Sequence, residues 1–234
     1  MIKQLTEQAV ALEKENSVLI DFDVESDILM VTFGGMALGV HIPVFEFFDL
    51  LSNYSLKKCF IRDFAQAMYQ RGLKGISHDV DTTATFLDEM IKQQQPKKVV
   101  FLGTSAGGTA AILFGKLLNI TQAIAIAPIT FFNLENRIKY EEGRREEKIG
   151  PLIEDATLNK VYFDLQNVME ANPNDTKIDI YYCFNHRLDT IHAERLGQYD
   201  GVTLFPRAEG GHGIIRHMYN DGTLEEVIKR ATTL

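Results

Sequence analysis

The sequence has 234 residues, of which 45% are hydrophobic and 24% are charged, a composition typical of one globular domain with a sizeable core. The formal net charge of −8 and the pI near 5.3 argue against binding to nucleic acid or to an anionic membrane surface. Two cysteines are too few for a disulfide framework and are typical of buried thiols in a reducing compartment.

The N-terminal segment lacks the continuous apolar stretch of a signal peptide, because Thr6, Glu7 and Gln8 interrupt it early. No part of the sequence approaches the roughly 20 apolar residues that a membrane-spanning helix needs. We therefore expect a cytoplasmic protein that does not associate with membranes.

Short apolar runs then alternate with helical patterns along the rest of the chain. The predicted strands are Val18–Phe22, Ile28–Phe33, Lys58–Arg62, Lys98–Leu102, Ala123–Ala127, Ile178–Phe184 and Val202–Phe205. The predicted helices are Val44–Ser52, Phe64–Gln70, Asp81–Gln94, Ala106–Leu118, Leu158–Ala171, Ile191–Leu196 and Thr223–Thr232. This alternation predicts a single α/β domain, 1–234, with a mostly parallel sheet of about seven or eight strands and helices on both faces. The short turn between the first two strands predicts an antiparallel hairpin at one edge.

The motif Gly103-Thr104-Ser105-Ala106-Gly107 lies between a predicted buried strand and a predicted helix. A G-x-S-x-G motif in this context is typical of a nucleophile elbow, a tight turn that presents its serine at the end of a strand. Its glycines remove side chains that would collide in the turn, and the start of the helix supplies free N–H groups. We expect Ser105 to be the nucleophile; the alternative is a turn without chemistry.

A serine that attacks a carbonyl group needs two N–H donors to stabilise the oxyanion. We expect one donor to be the N–H of Ala106, directly after the nucleophile, and the other to come from the loop after an early strand. That loop begins Gly34-Gly35-Met36, so the N–H of Met36 or Gly35 is the predicted second donor. The alternative is that the glycine pair only forms a turn.

Residues 129–157 depart from the strand–helix alternation and contain a run of mixed charges from Arg137 to Lys148. Such a run is typical of a solvent-exposed helix. The alternative is a small helical insertion that caps the active site, with Arg137, Arg144 or Arg145 facing an anionic substrate.

A serine nucleophile also needs a base, and the base needs a carboxylate that holds it in the right tautomer. Among six histidines, His212 lies after the last predicted strand and between glycines, in a loop able to present its ring at the edge of the sheet. Asp189 follows the preceding strand and is the predicted acid. The alternatives are a turn histidine without function and an aspartate that only caps a helix.

Arg62 and Asp63 lie where a predicted strand ends, on the edge at which parallel α/β sheets bind ligands. We expect them either to bind a polar group of the substrate or to form an ion pair that only stabilises the fold. Tyr69 and Arg71 raise the same question. We predict no metal and no cofactor.

With its elbow, its early glycine-rich loop, and Asp189 and His212 in this order, the chain resembles the α/β-hydrolase superfamily from Val18 onward. Within it, the chain is similar to small bacterial hydrolase-like proteins, some of which are found with polysaccharide-biosynthesis genes. The segments that carry this closer resemblance are Phe60–Leu73, Gly107–Gly115 and Asp189–Leu196. Phe33 stands where many lipases have a histidine.

This resemblance implies the α/β-hydrolase fold and a serine esterase or thioesterase. We predict that it cleaves a small ester or thioester through an acyl-enzyme, with Ser105 as nucleophile, His212 as base and Asp189 as acid. One alternative is an acyltransferase that passes the same acyl group to a sugar or another polar acceptor. Another is a non-catalytic interaction protein that retains the fold.

Overall fold

A single mixed sheet forms the centre of the molecule. The computed structural model describes the backbone of residues 2–4 and all of residues 15–37 and 44–234. Within these residues the strands are β1 (Ile2–Gln4), β2 (Val18–Asp21), β3 (Ile28–Phe33), β4 (Lys57–Ile61), β5 (Lys98–Thr104), β6 (Gln122–Ile126), β7 (Lys177–Cys183) and β8 (Val202–Arg207). Their order is β1-β2-β4-β3-β5-β6-β7-β8, and only the β2–β4 pair is antiparallel. The predicted, mostly parallel sheet is confirmed.

Helices connect most of the strands. They are α1 (Phe48–Leu51), α2 (Val80–Gln94), α3 (Ala106–Leu118), α4 (Leu134–Tyr140), α5 (Glu146–Glu154), α6 (Leu165–Ala171), α7 (Arg187–Leu196), α8 (Ile214–Asn220) and α9 (Thr223–Ala231). Short 3-10 turns span Lys160–Phe163 and Gly211–Gly213. Among the described residues, none of the helices has the length and apolar character to span a membrane.

The sheet has an apolar layer on each face, as the alternation of side chains along a strand requires. In β3, Leu29, Val31 and Phe33 face the layer to which α2, α3, α6 and α7 contribute, while Ile28 and Met30 face the layer that contains residues of α1, α8 and α9. All six residues of β3 are buried. Because β3 and β5 are neighbours in the middle of the sheet, the loops at their carboxyl ends meet above the core.

Three predictions about local structure are wrong. β2 and β3 form no hairpin, because β4 lies between them and β2 pairs with β4. Residues 64–70 form consecutive turns instead of a helix, since Gln66, Met68 and Tyr69 have φ values of 48°, 54° and 62°, which a right-handed helix cannot contain. The predicted exposed helix in residues 129–157 is instead the pair α4 and α5, with Glu141 and Arg145 in the left-handed region between them.

Two further differences concern the N-terminal part of the chain. The sequence analysis missed β1, which pairs in parallel with β2. The prediction about a signal peptide falls mainly on residues 5–14, which lie outside the described residues.

Candidate active site

Ser105 occupies a strained position between β5 and α3. Its φ of 52° and ψ of −118° are unfavourable for a residue with a side chain, and such strain clusters at functional sites. The turn is so tight that a Cβ on Gly107 would lie 2.0 Å from Phe33 O, and one on Gly103 would lie 2.1 Å from Gly107 O. The two glycines of the motif are therefore required by close backbone packing, as expected for an elbow.

The structure brings Ser105, His212 and Asp189 together in one chain of hydrogen bonds. Ser105 Oγ lies 3.0 Å from His212 Nε2, and His212 Nδ1 lies 2.9 Å from Asp189 Oδ1. Because Asp189 only accepts when ionised, its bond to Nδ1 favours the tautomer in which Nε2 is free to accept the Ser105 proton. A serine hydroxyl, an imidazole and a carboxylate thus stand in an arrangement that can activate a nucleophile.

Glycines shape the turn that carries His212. Gly210 and Gly211 have φ values of 107° and 52°, in the region that glycine adopts without strain. The His212 side chain is 34% exposed, so its ring borders solvent on one side and Asp189 on the other. Proton transfer at Nε2 is sterically possible in this position.

Asp189 lies in the first turn of α7, and its side chain is fully buried. The alternative that Asp189 only caps this helix is wrong, because His186 is the N-cap residue and its Nδ1 accepts the Asp189 N–H. Burial would raise the pKa of Asp189, but its bonds with His212 and Arg144 hold that pKa below its ordinary value. Asp189 is therefore ionised at neutral pH.

The loop after β3 lies beside the elbow. A Cβ on Gly35 would lie 3.8 Å from Ser105 Cβ, which shows how closely this loop approaches the nucleophile. The carboxyl group of Glu46 lies next to this loop, with Oε1 3.5 Å from the position of a Cβ on Gly35, and both predicted donors, Gly35 and Met36, belong to the loop. Ala106 is the first residue of α3, where an N–H has no acceptor within the helix.

Glu46 is a residue that the sequence analysis missed. Burial raises its pKa to about 7, although the hydrogen bond from Gly35 opposes the shift. Its Oε2 is buried, with no hydrogen-bond partner among the described residues. No sequence motif predicts a role for Glu46, because a glutamate within the predicted helix 44–52 is expected to be exposed.

Arg62 and Asp63 are each 3% exposed, which corrects the expectation that they lie on the rim of the site. The Arg62 guanidinium packs 4.1 Å from the centroid of the Phe45 ring. Asp63 Oδ2 accepts hydrogen bonds from the N–H groups of Ala67 and Tyr69, at 2.7 and 2.9 Å. Substrate binding by Arg62 and Asp63 stays a prediction, and these contacts favour a structural role for both.

Tyr69 and Arg71 also have protein partners. The buried Tyr69 hydroxyl donates to Gly34 O at 2.7 Å and so fixes the start of the glycine-rich loop. Arg71 Nη2 lies 3.0 Å from Asp155 Oδ2 at the surface. Tyr69 therefore holds Gly34, the first residue of the predicted oxyanion loop, in place.

The segment between α4 and α5 reaches Asp189. Arg144 Nη1 donates to Asp189 Oδ1 at 2.9 Å and lies 3.2 Å from His212 Nδ1. Arg144 Nε lies 3.0 and 2.9 Å from the two carboxylate oxygens of Glu142, and the Glu142 side chain is only 1% exposed. Arg144 is a candidate from the sequence for binding an anionic substrate, but its guanidinium already contacts the carboxylates of Glu142 and Asp189.

Apolar residues from this same insertion pack near Ala106, the residue after Ser105. Ile149 and Leu152 of α5 belong to a buried cluster that also contains Ala106 and Phe132, with Met36 packed against it. That the insertion forms a cap over substrate stays a prediction.

Comparisons with known proteins agree on the architecture. No protein-family model matches the chain, and no curated protein matches its sequence. Solved structures do match: FphF, a fluorophosphonate-binding serine hydrolase of Staphylococcus aureus, aligns with a TM-score of 0.57 and 12% identity over 98% of this chain and 91% of its own. The chain has the α/β-hydrolase fold.

Two other solved structures align with higher TM-scores. The capsule O-acetyltransferase of Neisseria meningitidis serogroup A gives a TM-score of 0.68 and 15% identity over 88% of this chain and 89% of its own. A chain of the Glycosylation Associate Protein (Gap123) complex from Streptococcus agalactiae gives 0.63 and 17% over 90% of this chain, which spans 43% of that longer one. At these identities the likeness concerns the fold.

Proposed function

We propose that this protein is a serine esterase or thioesterase that cleaves a small ester or thioester through an acyl-enzyme, with Ser105, His212 and Asp189 as its catalytic triad. The observation that carries the proposal is the unbroken chain of hydrogen bonds from Ser105 Oγ through the His212 ring to Asp189 Oδ1, at 3.0 and 2.9 Å. It stands on a strained elbow at the carboxyl end of a central strand, which is where this fold carries its nucleophile.

In the first half-reaction, Ser105 Oγ attacks the acyl carbonyl while His212 Nε2 takes the hydroxyl proton. Asp189 stabilises the imidazolium that forms. The tetrahedral intermediate then collapses, the bond to the leaving oxygen or sulfur breaks, and His212 gives its proton to that atom. Water attacks the acyl-enzyme in the second half-reaction, with His212 again acting as base and then as acid.

The negative oxygen of each tetrahedral intermediate needs two N–H donors. We propose the N–H of Ala106 and the N–H of Met36 or Gly35 for this role, because Ala106 begins α3 and the loop that carries Gly35 and Met36 lies beside Ser105. An N–H at the start of α3 also lies at the positive end of the helix dipole. Removing one such donor typically costs about 100-fold to 1,000-fold in kcat.

Acyl transfer is the second candidate. In this reaction the hydroxyl group of a sugar or another polar acceptor replaces water in the second half-reaction. The observation that favours it is the higher TM-score of 0.68 for the capsule O-acetyltransferase, against 0.55 to 0.57 for the hydrolases MenH, FphF and the metagenomic enzymes. A related structure of that acetyltransferase contains CoA, so an acyl-CoA thioester is the donor to test first.

The nucleophile is tested by labelling with a fluorophosphonate probe and by turnover of p-nitrophenyl acetate. We expect the wild type to be labelled and the Ser105→Ala variant to lose both signals, with kcat reduced about 10⁴-fold or more. Ser55→Ala is the matched control, because Ser55 is exposed and distant in sequence from the motif. A wild type that is neither labelled nor active would instead support an interaction protein with this fold.

The two reactions are separated by the partition of the acyl group. Acetyl-CoA is incubated with the enzyme, with and without a mixture of mono- and disaccharides, and free acetate and acetylated sugar are both measured. A hydrolase releases acetate at the same rate in both samples. An acyltransferase forms acetylated sugar and releases less acetate when the acceptor is present.

A further inference from the structure

A charged pair from the insertion, Glu142 and Arg144, lies next to Asp189 of the proposed triad. The Glu142 side chain is 1% exposed and the Asp189 side chain is fully buried, and Arg144 lies between the two carboxylates. Arg144 donates to Glu142 through its N–H, Nε and Nη2 and to Asp189 through Nη1. Two buried carboxylates thus share one guanidinium, whose planar fork suits this bridging geometry.

Glu142 also contacts His192, whose side chain is fully buried. The Thr130 N–H donates to His192 Nδ1 at 3.0 Å, so the ring proton resides on Nε2, which donates to Glu142 Oε2 at 3.0 Å. Burial lowers the pKa of His192 to about 4, although the hydrogen bond to Glu142 opposes this shift. His192 is therefore a neutral donor at neutral pH.

Glu142 is the anion of this arrangement. Burial would raise its pKa, but the hydrogen bonds from His192 and Arg144 outweigh burial and place the pKa well below its ordinary value. Because its position is fixed by His192 on one side, Glu142 can hold the Arg144 side chain against Asp189 on the other. The insertion is thereby attached to the acid of the site through a hydrogen-bonded network.

The charges balance when the proposed triad works. With Glu142 and Asp189 negative, Arg144 positive and His212 neutral, the resting cluster carries one net negative charge. Protonation of His212 during attack by Ser105 makes the cluster neutral, which suits a site that is largely withdrawn from water. Without Arg144, two buried carboxylates would face each other, and one of them would take up a proton more readily.

Resting on the proposed function, we propose that Arg144 is a positioning residue that keeps Asp189 ionised and directed at His212, with Glu142 and His192 holding Arg144 in place. Arg144 reaches the reacting atoms only through Asp189 and His212. In this role the insertion supplies part of the machinery that sets the protonation state of the acid.

The inference is tested by the pH dependence of kcat/KM, measured for the wild type and for variants of Arg144. Three groups contact the Asp189 carboxylate, namely Arg144, His186 and His212. Glu142 contacts Arg144, and His192 contacts Glu142. The His212–Asp189 pair is active with His212 neutral and Asp189 ionised, so activity is lost on the acid side when the pair takes up a proton. Arg144→Met removes a cation that disfavours this protonation, so we expect the acid limb of the profile to move to higher pH by about one unit.

Arg187→Met is the matched control. Arg187 is another arginine that links the insertion to α7, through Tyr140 O and Glu141, but it does not touch Asp189. We expect the acid limb of Arg187→Met to coincide with that of the wild type. Arg144→Lys keeps the positive charge but cannot span both carboxylates, so kcat should fall about tenfold while the acid limb moves by less than half a unit.

Glu142→Gln keeps an acceptor for Arg144 and removes the competing negative charge, so its acid limb should not move to higher pH. These Lys and Gln variants keep the inference testable if Arg144→Met does not fold. A purely structural pair would lower the melting temperature and reduce kcat equally at every pH, with an unmoved acid limb in Arg144→Met. That result in an active, labelled wild type would overturn this inference alone, whereas an inert wild type would overturn the proposed function as well.

Discussion

The two sides of the candidate site are held in different ways. On the nucleophile side, which comprises residues 33–36 and 103–109, the position of Ser105 is set by close backbone packing. This packing leaves no room for a Cβ on Gly107. On the acid–base side, which comprises residues 142–144, 186–192 and 212, the side-chain positions are set by hydrogen bonds that join carboxylate, guanidinium and imidazole groups from distant parts of the sequence. The first is a steric constraint and the second an electrostatic one, so different changes should break them.

The acid–base side should give the largest effect on catalysis with the smallest effect on the fold. In Asp189→Asn the side chain keeps its size, but its amide group can donate to His212 Nδ1. This favours the tautomer that carries its proton on Nε2 and cannot accept from Ser105, so we expect kcat to fall about 10⁴-fold. Circular dichroism and the melting temperature should stay close to those of the wild type. An effect on kcat below about tenfold would show that another carboxylate orients the base.

The nucleophile side should instead fail by loss of stability. In Gly107→Ala the new Cβ would lie 2.0 Å from Phe33 O, a backbone atom that can move only with the sheet. We expect the free energy of unfolding, measured in urea, to fall by about 3 kcal/mol. Gly143→Ala is the control, because a Cβ there meets nothing within 4 Å in the described structure. Equal stability of the two variants would contradict the steric account.

A smaller effect concerns Glu46, whose carboxyl group lies beside Gly35 and forms no ion pair with any residue in the described part of the chain. Because its pKa is raised to about 7, the native state keeps a proton that the unfolded state loses above the ordinary value of 4.5. Stability should therefore fall as pH rises from about 4.5 to 7, by roughly 2 kcal/mol after allowing for partial exposure. Glu46→Gln should lack this decline in urea unfolding at pH 5 and pH 8. The same decline in both proteins would exclude Glu46 as its source.

This contrast also explains what the sequence could predict. The nucleophile side leaves a local signature in the sequence, because the glycines of the elbow and of the loop after β3 must lie at fixed positions next to a strand. The positions of Asp189 and His212 followed from chain order and from the glycines around His212. All seven predicted strands are present, with bounds shifted by a few residues at most.

The rest of the acid–base side left no such signature. Glu142 and Arg144 are close in sequence but meet His192 and Asp189 only through the fold, and a run of mixed charges predicts an exposed helix more readily than a buried pair. The same limit applies to Arg62 and Asp63, whose charges gave no sign that they would be buried. The turns at residues 64–70 were missed because three residues without glycine's freedom adopt positive φ values, which tertiary contacts impose.

The central claim, that Ser105 carries the acyl group, is tested most directly by trapping the intermediate. The enzyme is mixed rapidly with p-nitrophenyl acetate and quenched in acid, and its peptides are mapped by mass spectrometry. The account predicts one acetyl group on Ser105 in the wild type and none in the Ser105→Ala variant. An acetyl group on any other residue, or product release from Ser105→Ala at the wild-type rate, would contradict it.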